Sequence, residues 1–509
     1  MHSRTTIGWL IGLLSAAVAV GVGEFVAAFI RPAAAPVIAV GNRVVLLTPE
    51  SAKRATIDSV GTNDKALLLG SIYLLLALLG AAIGGLALRN LRAGVAGIVL
   101  IGGFAGYCAL TANASRGSDV VPSVIGTLAA AGVLIVLVRL AGPASADPVD
   151  GVSTDRRRFL QGGAAVAALA AVAGFGGRAA QHARFDVTAA RRKITLPTAQ
   201  GDAAVPTGAD LGRSPVPWAT PNRSFYRIDT ALTVPQIDPQ KWRLRVHGRV
   251  DKELTLTYDE LLARPLIERW ITLCCVSNDV GGQLVGNARF RGARLADLLR
   301  ECGVHPDADQ LLLRSADGFT FGAPTAVVLD GRDALLAVGM NGEPLPLEHG
   351  FPVRTVVPGL YGYVSACKWI VDIEATTFDR DQAYWVQGGW AARPTIKLAS
   401  RIDTPRSQKT VALGEQVTLG GVAWDQHVGV SRVELQVDDG AWQPARLANV
   451  PSTDTWRQWV LPWTPEKSGA HRIRVRAVDG RGMPQDEEPR RAFPSGATGL
   501  HTITLNVVA

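Results

Sequence analysis

Two adjacent cysteines, Cys274 and Cys275, lie in the run "ITLCCVSNDVGG" at residues 271–282, in a chain with only five cysteines. Extended backbone sends neighbouring side chains to opposite faces, so the pair cannot share one task. One thiol is expected to pack, and the other to serve as a ligand. Three further stretches collect groups of chemical use. "TPNRSFYRIDT" (220–230) brings together Asn222, two aromatics and Arg227. "MNGEPLPLEHGFPVRTVVPGLYGYVSACKW" (340–369) sets His349, Arg354 and Lys368 among Gly/Pro turns, and "AYWVQGGW" (383–390) contains Tyr384. Arginine and lysine on glycine-rich loops suit a buried phosphate: the guanidinium forks onto two oxygens and the loop adds backbone N–H groups.

Those groups need a frame of short elements. "WRLRVHGRV" (242–250) alternates as a strand does, while "LTYDELLA" and "ARLADLLRECGV" have the period of short amphipathic helices, the second closed by Gly303. After about Pro394 the chain reads as all-β: "VTLGGVAW", "VSRVELQVD", "WRQWVLPW", "HRIRVRAVD" and "HTITLNVV" are divided by Gly, Pro and Asp. Regular short strands of this kind predict an immunoglobulin-like sandwich behind a mixed α+β domain.

The first third is different in kind. Four apolar runs, about Ile7–Ile30, Ala66–Leu88, Ala93–Ala112 and Pro122–Leu140, each approach the roughly 20 residues that cross a hydrocarbon layer. Gly8/Gly12, Gly80/Gly84 and Gly102/Gly106 have the small-xxx-small spacing of closely packed membrane helices. Arg4, Arg89, Arg92, Arg139 and Arg156–Arg158 fall on one side of a four-span topology, which makes that side cytoplasmic and puts loop 31–65 outside. Glu24 is the acidic residue of the first run and a candidate for function or for simple contact with water. The segment "DRRRFLQGGAAVAALAAVAGFGG" (155–177) resembles an internal twin-arginine export signal, with Asp155 where Ser or Thr is usual, and equally reads as a fifth membrane helix.

The formal net charge is +8, but no dense basic block interleaved with aromatics occurs, so nucleic acid is not an expected partner. No CxxC, His-x-x-x-His pair or Cys/His cluster argues for zinc or iron–sulfur, and the apolar runs hold no histidine for a haem. The expected division is 1–145, a four-helix membrane domain; 146–195, the arginine segment, fifth helix and linker; 196–395, the catalytic domain; and 396–509, the sandwich.

Taken together, the motifs resemble the sulfite oxidase family of molybdenum–pterin enzymes, from about residue 205 to the C-terminus. "TLCCVSN" is similar to that family's Leu-x-Cys-x-x-Asn segment, and the resemblance implies that Cys275 binds molybdenum while Cys274 packs. Asn222, Phe225 and Tyr226 match a stretch that touches the pterin. His349 and Arg354 match a His-Gly-x-Pro-x-Arg phosphate clamp, continued by Ser365 and Lys368. The resemblance also implies Arg227 as an anion-binding residue and Tyr384 as the active-site tyrosine. Molybdenum–molybdopterin is the implied cofactor, and the sandwich is the implied homodimerisation domain.

Three departures qualify it. A membrane bundle stands where a haem domain precedes the family's catalytic domain. Arg227-Ile228-Asp229 replaces an Arg-Asn-His sequence, and the position of the tyrosine is ambiguous among nearby aromatics. The related periplasmic methionine-sulfoxide reductases lack both the arginine after Phe-Tyr and the sandwich. The expected function is oxygen-atom transfer to or from a small sulfite-like substrate, outside the membrane, with a quinone or cytochrome as electron partner. Reduction of S-oxides or N-oxides by membrane quinol is the alternative, and a non-enzymatic adhesion protein is a third reading.

Overall fold

A computed structural model describes residues 2–49, 52, 63–142, 152–201, 203–212 and 216–509. The expected boundary at residue 145 and much of the loop before residue 63 lie outside the described residues. The chain forms two compact units, one of residues 1–187 with Thr230–Gln236, the other of Thr188–Asp229 with Ile237–Ala509.

The first unit is helical: α1 (His2–Ile30), α2 (Pro36–Leu47), α3 (Asp64–Ala87), α4 (Leu91–Leu110), α5 (Val121–Leu140) and α6 (Val152–Phe185). Five helices among the described residues are long and apolar enough to cross a membrane. The helix α2 falls in a stretch expected as loop. Pro36 starts it, because its fixed φ and missing N–H suit a first turn. Asn90 stops the α3–α4 link from fraying by accepting from Ala93 N at 3.2 Å.

Glycine spacing sets the packing. A Cβ on Gly12 would collide with the Gly80 carbonyl, and one on Gly84 with the Gly8 carbonyl, so α1 and α3 run antiparallel at backbone contact. The α5 partner meets α1 through Gly126 against Ala19, also antiparallel. The α6 partner runs parallel to α1, with Gly174 near Gly21 and Gly177 so close that a Cβ there would sit 2.6 Å from the Phe25 backbone. These directions put Arg4, the Arg89–Arg92 link and the end of α5 at one end of the bundle, where Arg4 Nη2 donates to Gly142 O. At the other end Arg31 pairs with the buried Asp119, Nε to Oδ1 at 2.9 Å. Glu24 is 5% exposed and accepts from Gln181 Nε2 at 3.0 Å, so its carboxylate is partnered inside the bundle.

The short stretch Thr230–Gln236, expected in the catalytic domain, belongs to this unit. Lys65 Nζ donates to Ala231 O at 2.7 Å, and Gln236 Oε1 accepts from Val187 N.

In the second unit ten strands form the α+β domain: β1 (Arg243–Gly248), β2 (Leu254–Thr257), β3 (Leu266–Cys274), β4 (Val285–Arg294), β5 (Gln310–Ser315), β6 (Thr320–Pro324), β7 (Leu335–Met340), β8 (Glu343–Pro344), β9 (Arg354–Val356) and β10 (Ile370–Thr376). They build one sheet in the order β2-β1-β10-β5-β6 and another in the order β3-β4-β7-β8, with β9 also on β7. The β1 alternation expected from sequence is realised, with Leu244 and Val246 fully buried. Every residue of β7 is buried, as suits a strand covered on both faces. The helix Leu295–Cys302 ends where Gly303 takes φ 63°, a left-handed cap that favours glycine.

The last nine strands are a two-sheet sandwich, in which all five expected strands appear. One sheet contains β11 (Ala399–Thr404), β13 (Val417–Trp424), β17 (Arg457–Trp463) and β16 (Arg446–Leu447). The other has the order β12 (Thr410–Ala412), β19 (His501–Val508), β18 (Gly469–Asp479), β14 (Val430–Val437) and β15 (Gln443–Pro444). Leu419, Val433, Trp459, Val475 and Leu505 fill the space between them. The protein is thus a helical apolar region, a mixed α+β domain and an all-β immunoglobulin-like sandwich.

The bundle packing yields a direct test. Gly12→Leu should lower bundle stability by at least ~2 kcal/mol through overpacking, read as a lower melting temperature in detergent. Gly103→Leu, where a Cβ meets nothing within 4 Å, should leave it unchanged.

Candidate cofactor site

The β3–β4 ladder runs in register to Cys274 opposite Val285 and stops there. Beyond it the chain turns: Cys275 N donates to Leu284 O at 2.9 Å, and Asn278 Oδ1 accepts from Leu284 N at 2.7 Å. Strand alternation separates the two thiols. Cys274 joins the hydrophobic core, while Cys275, 9% exposed, lies outside that cluster. Burial pushes both thiols up. At Cys275 this is opposed by the Ser277 N–H, the Ser277 hydroxyl and the Val276 N–H. At Cys274 the charge of Cys275 adds to burial, and Arg401 alone opposes them. The chain therefore provides donors for a thiolate at position 275.

The second element is the turn Asn222–Ser224 and the two aromatics after it. Phe225 stacks on Tyr226 with centroids 5.2 Å apart and meets His349 edge-on at 5.6 Å. Gly286 makes room, since a Cβ there would sit 2.8 Å from the Phe225 ring. Burial, then the charges of Cys275 and Cys274, push the Tyr226 phenol well up, with Arg354 opposing. Tyr226 thus keeps its proton and lies within electrostatic reach of both the thiols and Arg354. Asn222 is held on three sides: Nδ2 donates to Glu343 Oε1 at 2.6 Å, Oδ1 accepts from Asn341 Nδ2 at 2.8 Å, and its carbonyl accepts from His349 Nε2 at 3.1 Å. With Arg223, Trp270 and Arg289 it lines an open cleft of about 640 Å³.

The third element spans 349–368. His349 is 3% exposed, and its carbonyl partner requires the ring proton on Nε2, leaving Nδ1 as an acceptor. Burial, then Arg354, pull its pKa down to about 4, so it is neutral at pH 7. Gly350 takes φ 110°, and a Cβ there would press on Arg354 Cβ and Lys368 Cα at 3.0 and 3.1 Å. That turn brings the two cations together.

Arg354 is 5% exposed and donates only to carbonyls: His349 O at 3.2 Å, Thr355 O at 3.4 Å and Ala366 O at 3.5 Å. Among the described residues no carboxylate pairs with it, and burial pulls its pKa down to about 10. A buried cation held only by long neutral contacts is a place prepared for an anion. Lys368 Nζ, 2.7 Å from Asp229 Oδ2, lies over the Trp369 ring, and burial lowers its pKa to about 8. Asp229 also takes Arg227 Nε at 2.8 Å, so one carboxylate serves two cations.

The remaining expected residues are placed differently. Ser365 is fully buried, and its hydroxyl donates to the Tyr361 and Leu360 carbonyls at 3.1 and 3.2 Å, bracing the turn from inside. Tyr384 opens the helix Tyr384–Gln387, its ring 4.7 Å from Phe319 and 5.0 Å from Trp385. Tyr226 and Tyr361 are phenols that feel the cysteine charges. Tyr361 was not legible as a site residue, because only the turn ending at Ser365 carries it back toward β3. Arg227 is tied to Asp229, with its side chain 39% exposed.

Among the described residues no group of three or more His, Cys, Asp or Glu could hold a metal ion. One buried thiol with N–H donors, an unpaired buried guanidinium, a lysine and a neutral histidine fit a metal whose other ligands come with a phosphorylated organic group. Fold and site thus define a molybdopterin-binding oxidoreductase domain. The family description "Oxidoreductase molybdopterin binding domain" matches residues 231–385, and "Bacterial Ig domain" matches 399–475.

The chain is 31% identical over 321 residues to the mitochondrial sulfite oxidase of Drosophila melanogaster, covering 53% of this chain and 55% of that one. It is 35% identical over 156 residues to the uncharacterized oxidoreductase YuiH of Bacillus subtilis, 31% of this chain and 75% of that one. The sulfane dehydrogenase SoxCD of Paracoccus pantotrophus has a similar solved structure, with 22% identity, TM-score 0.49, and coverage of 60% and 91%. The chain belongs to the sulfite oxidase family of molybdopterin-dependent oxidoreductases. It spans about half the length of the sulfite oxidases it matches.

Arg354→Met should leave the cofactor-free protein as stable or more stable, since it removes an uncompensated charge, yet weaken cofactor retention about ten- to a hundredfold. Melting temperature and molybdenum content of the same preparations check both halves. A second outcome concerns pH. Between pH 6.5 and about 4 the unfolded chain binds a proton that folded His349 refuses, so stability must fall as pH falls through that window. The contribution is up to about 3 kcal/mol. Urea unfolding of cofactor-free protein should show it, with a flatter slope in His349→Gln.

Proposed function

We propose that the chain is a membrane-anchored molybdenum–pterin oxidoreductase that transfers an oxygen atom to or from a small sulfite-like substrate on the extracytoplasmic side. The observation that carries the reading is Arg354, buried without a carboxylate, with Tyr226 within electrostatic reach of both it and the Cys275 thiol, which has its own N–H donors. The bound cofactor supplies two-electron oxygen-atom transfer. Cys275 is its protein ligand. Arg354 and Lys368 hold the phosphate, and the Asn222–Tyr226 segment lies against the pterin. Neutral His349 donates through Nε2 to the Asn222 carbonyl and offers Nδ1 as an acceptor. Tyr226 keeps its phenolic proton at neutral pH, which suits it to donate to an oxygen near the thiolate. Arg227 attracts an anionic substrate.

The location rests on charge and chain direction. Arg4, Arg89, Arg92 and Arg139 mark the cytoplasmic end of the bundle under the positive-inside rule. The parallel helix α6 leaves at the opposite end and leads into the catalytic half. The domain limits 196–395 and 396–509, a homodimer through the sandwich, the twin-arginine role of Arg156 and Arg157, and a quinone or cytochrome partner belong to the same proposal.

One observation favours the S-oxide or N-oxide reductase reading. Asp229 neutralises part of the charge of Arg227, which weakens the field that a dianion would meet.

Purified full-length protein should contain molybdenum and oxidise sulfite. Cys275→Ser should lose turnover while Cys274→Ala keeps it. Arg227→Met should raise the sulfite KM about tenfold or more and leave a neutral sulfoxide unaffected. Equal KM changes for both substrates would give the reaction to the reductase reading, and absence of molybdenum from loaded-strain preparations would remove both.

A further inference from the structure

The cysteine strand β3 is an edge strand, the last in the order β3-β4-β7-β8. An edge strand leaves one row of backbone groups open, and buried ones must be paired. At Thr272, three residues before Cys275 and fully buried, the partners come from the sandwich. Thr272 N donates to Asp454 O at 2.9 Å, Gln426 Nε2 donates to Thr272 O at 2.9 Å, and Trp456 N donates to Thr272 Oγ1 at 2.7 Å.

The far side of the cysteine turn is held by the sandwich too. Arg401, 4% exposed on β11, donates through Nη1 to Gly282 O at 2.7 Å. His501 lies against Gly281, where the position of a Cβ is taken by its ring. Its Nδ1 accepts from Ile402 N at 3.0 Å, so the ring is fixed by β11. The same sandwich edge reaches the other wall of the site. Trp456 Nε1 donates to Trp218 O at 2.8 Å, and Gln458 Nε2 donates to Val216 O at 2.8 Å, just ahead of the Asn222–Tyr226 segment.

We propose that the C-terminal sandwich is a positioning element for the cofactor site: it grips the Cys275 turn on both sides, at Thr272 and at Gly281–Gly282, and fixes its distance from the Asn222–Tyr226 wall. Gln426, Arg401, His501 and Trp456 are the positioning residues, and none of them is needed to touch substrate. A thiolate ligand must be held within a fraction of an ångström of its working geometry, and a ten-residue turn leaving an edge strand does not supply that alone. The role adds to any part of the sandwich in dimerisation. It uses the reading of Cys275 as the metal ligand only for its consequence, since the grip exists in the cofactor-free chain.

Hydrogen–deuterium exchange on cofactor-free, full-length protein reads the grip by itself. Arg401→Gln should speed exchange of amides 276–284 about tenfold while Val430–Val437 and Gly469–Asp479 keep their protection, and Arg401→Lys should restore most of it. In loaded protein the same change should lower kcat and leave the substrate KM alone. If Arg401→Gln loosens the whole sandwich, Gln426→Leu decides: faster exchange confined to the Thr272–Val276 stretch supports the proposal. Unchanged protection there, or in 276–284 with the sandwich intact, overturns it. A local loss of protection in protein that binds no molybdenum would leave the grip standing and overturn the metal reading alone.

Discussion

A guanidinium taken out of water with no carboxylate to meet it costs several kcal/mol, and Arg354 is held in that state by three neutral carbonyls. Much of the site follows from that one charge. It helps to keep His349 neutral, adds to the depression of Lys368, and draws the raised Tyr226 phenol partway back. Only an anion makes the arrangement favourable. On the proposed reading, the stability of this region and the binding of a phosphorylated group are one free-energy balance seen from two sides.

The backbone around Arg354 is shaped to sustain the strain. Gly350 adopts a conformation that other residues rarely take, and it lets the Arg354 and Lys368 segments close on each other without an intervening side chain. Thr355 Oγ1 donates to Ser365 O at 2.7 Å and accepts from Cys367 N at 2.8 Å, tying β9 to the next turn.

The two units use different packing. The helical unit brings backbones together at glycines, a packing that suits helices long and apolar enough to cross a membrane. The other unit buries large side chains, Trp242, Trp369, Trp456 and Trp459 among them, in the way of a water-soluble core. Both patterns arise in one chain because its composition changes near residue 195. The edge of β3 is closed by the sandwich, so the last hundred residues complete the site that the middle of the chain begins.

Composition and periodicity alone determined the apolar helices, the alternation of β1 and the five sandwich strands, since each depends on burial of a local face. The residue types likewise marked the Cys274–Cys275 pair, His349, Arg354 and Lys368 as candidates, and the family resemblance chose Cys275 of the two thiols. The helix α2 was hidden by the polar residues around it. Two of the placements are tertiary in origin. Lys368, far along the chain, shares Asp229 with Arg227, and a turn carries Tyr361 within electrostatic reach of the thiols. The grip on Thr272 joins residues more than 150 positions apart. No local pattern encodes such a pairing, since it depends on an edge strand whose open hydrogen bonds exist only once the sheet has formed.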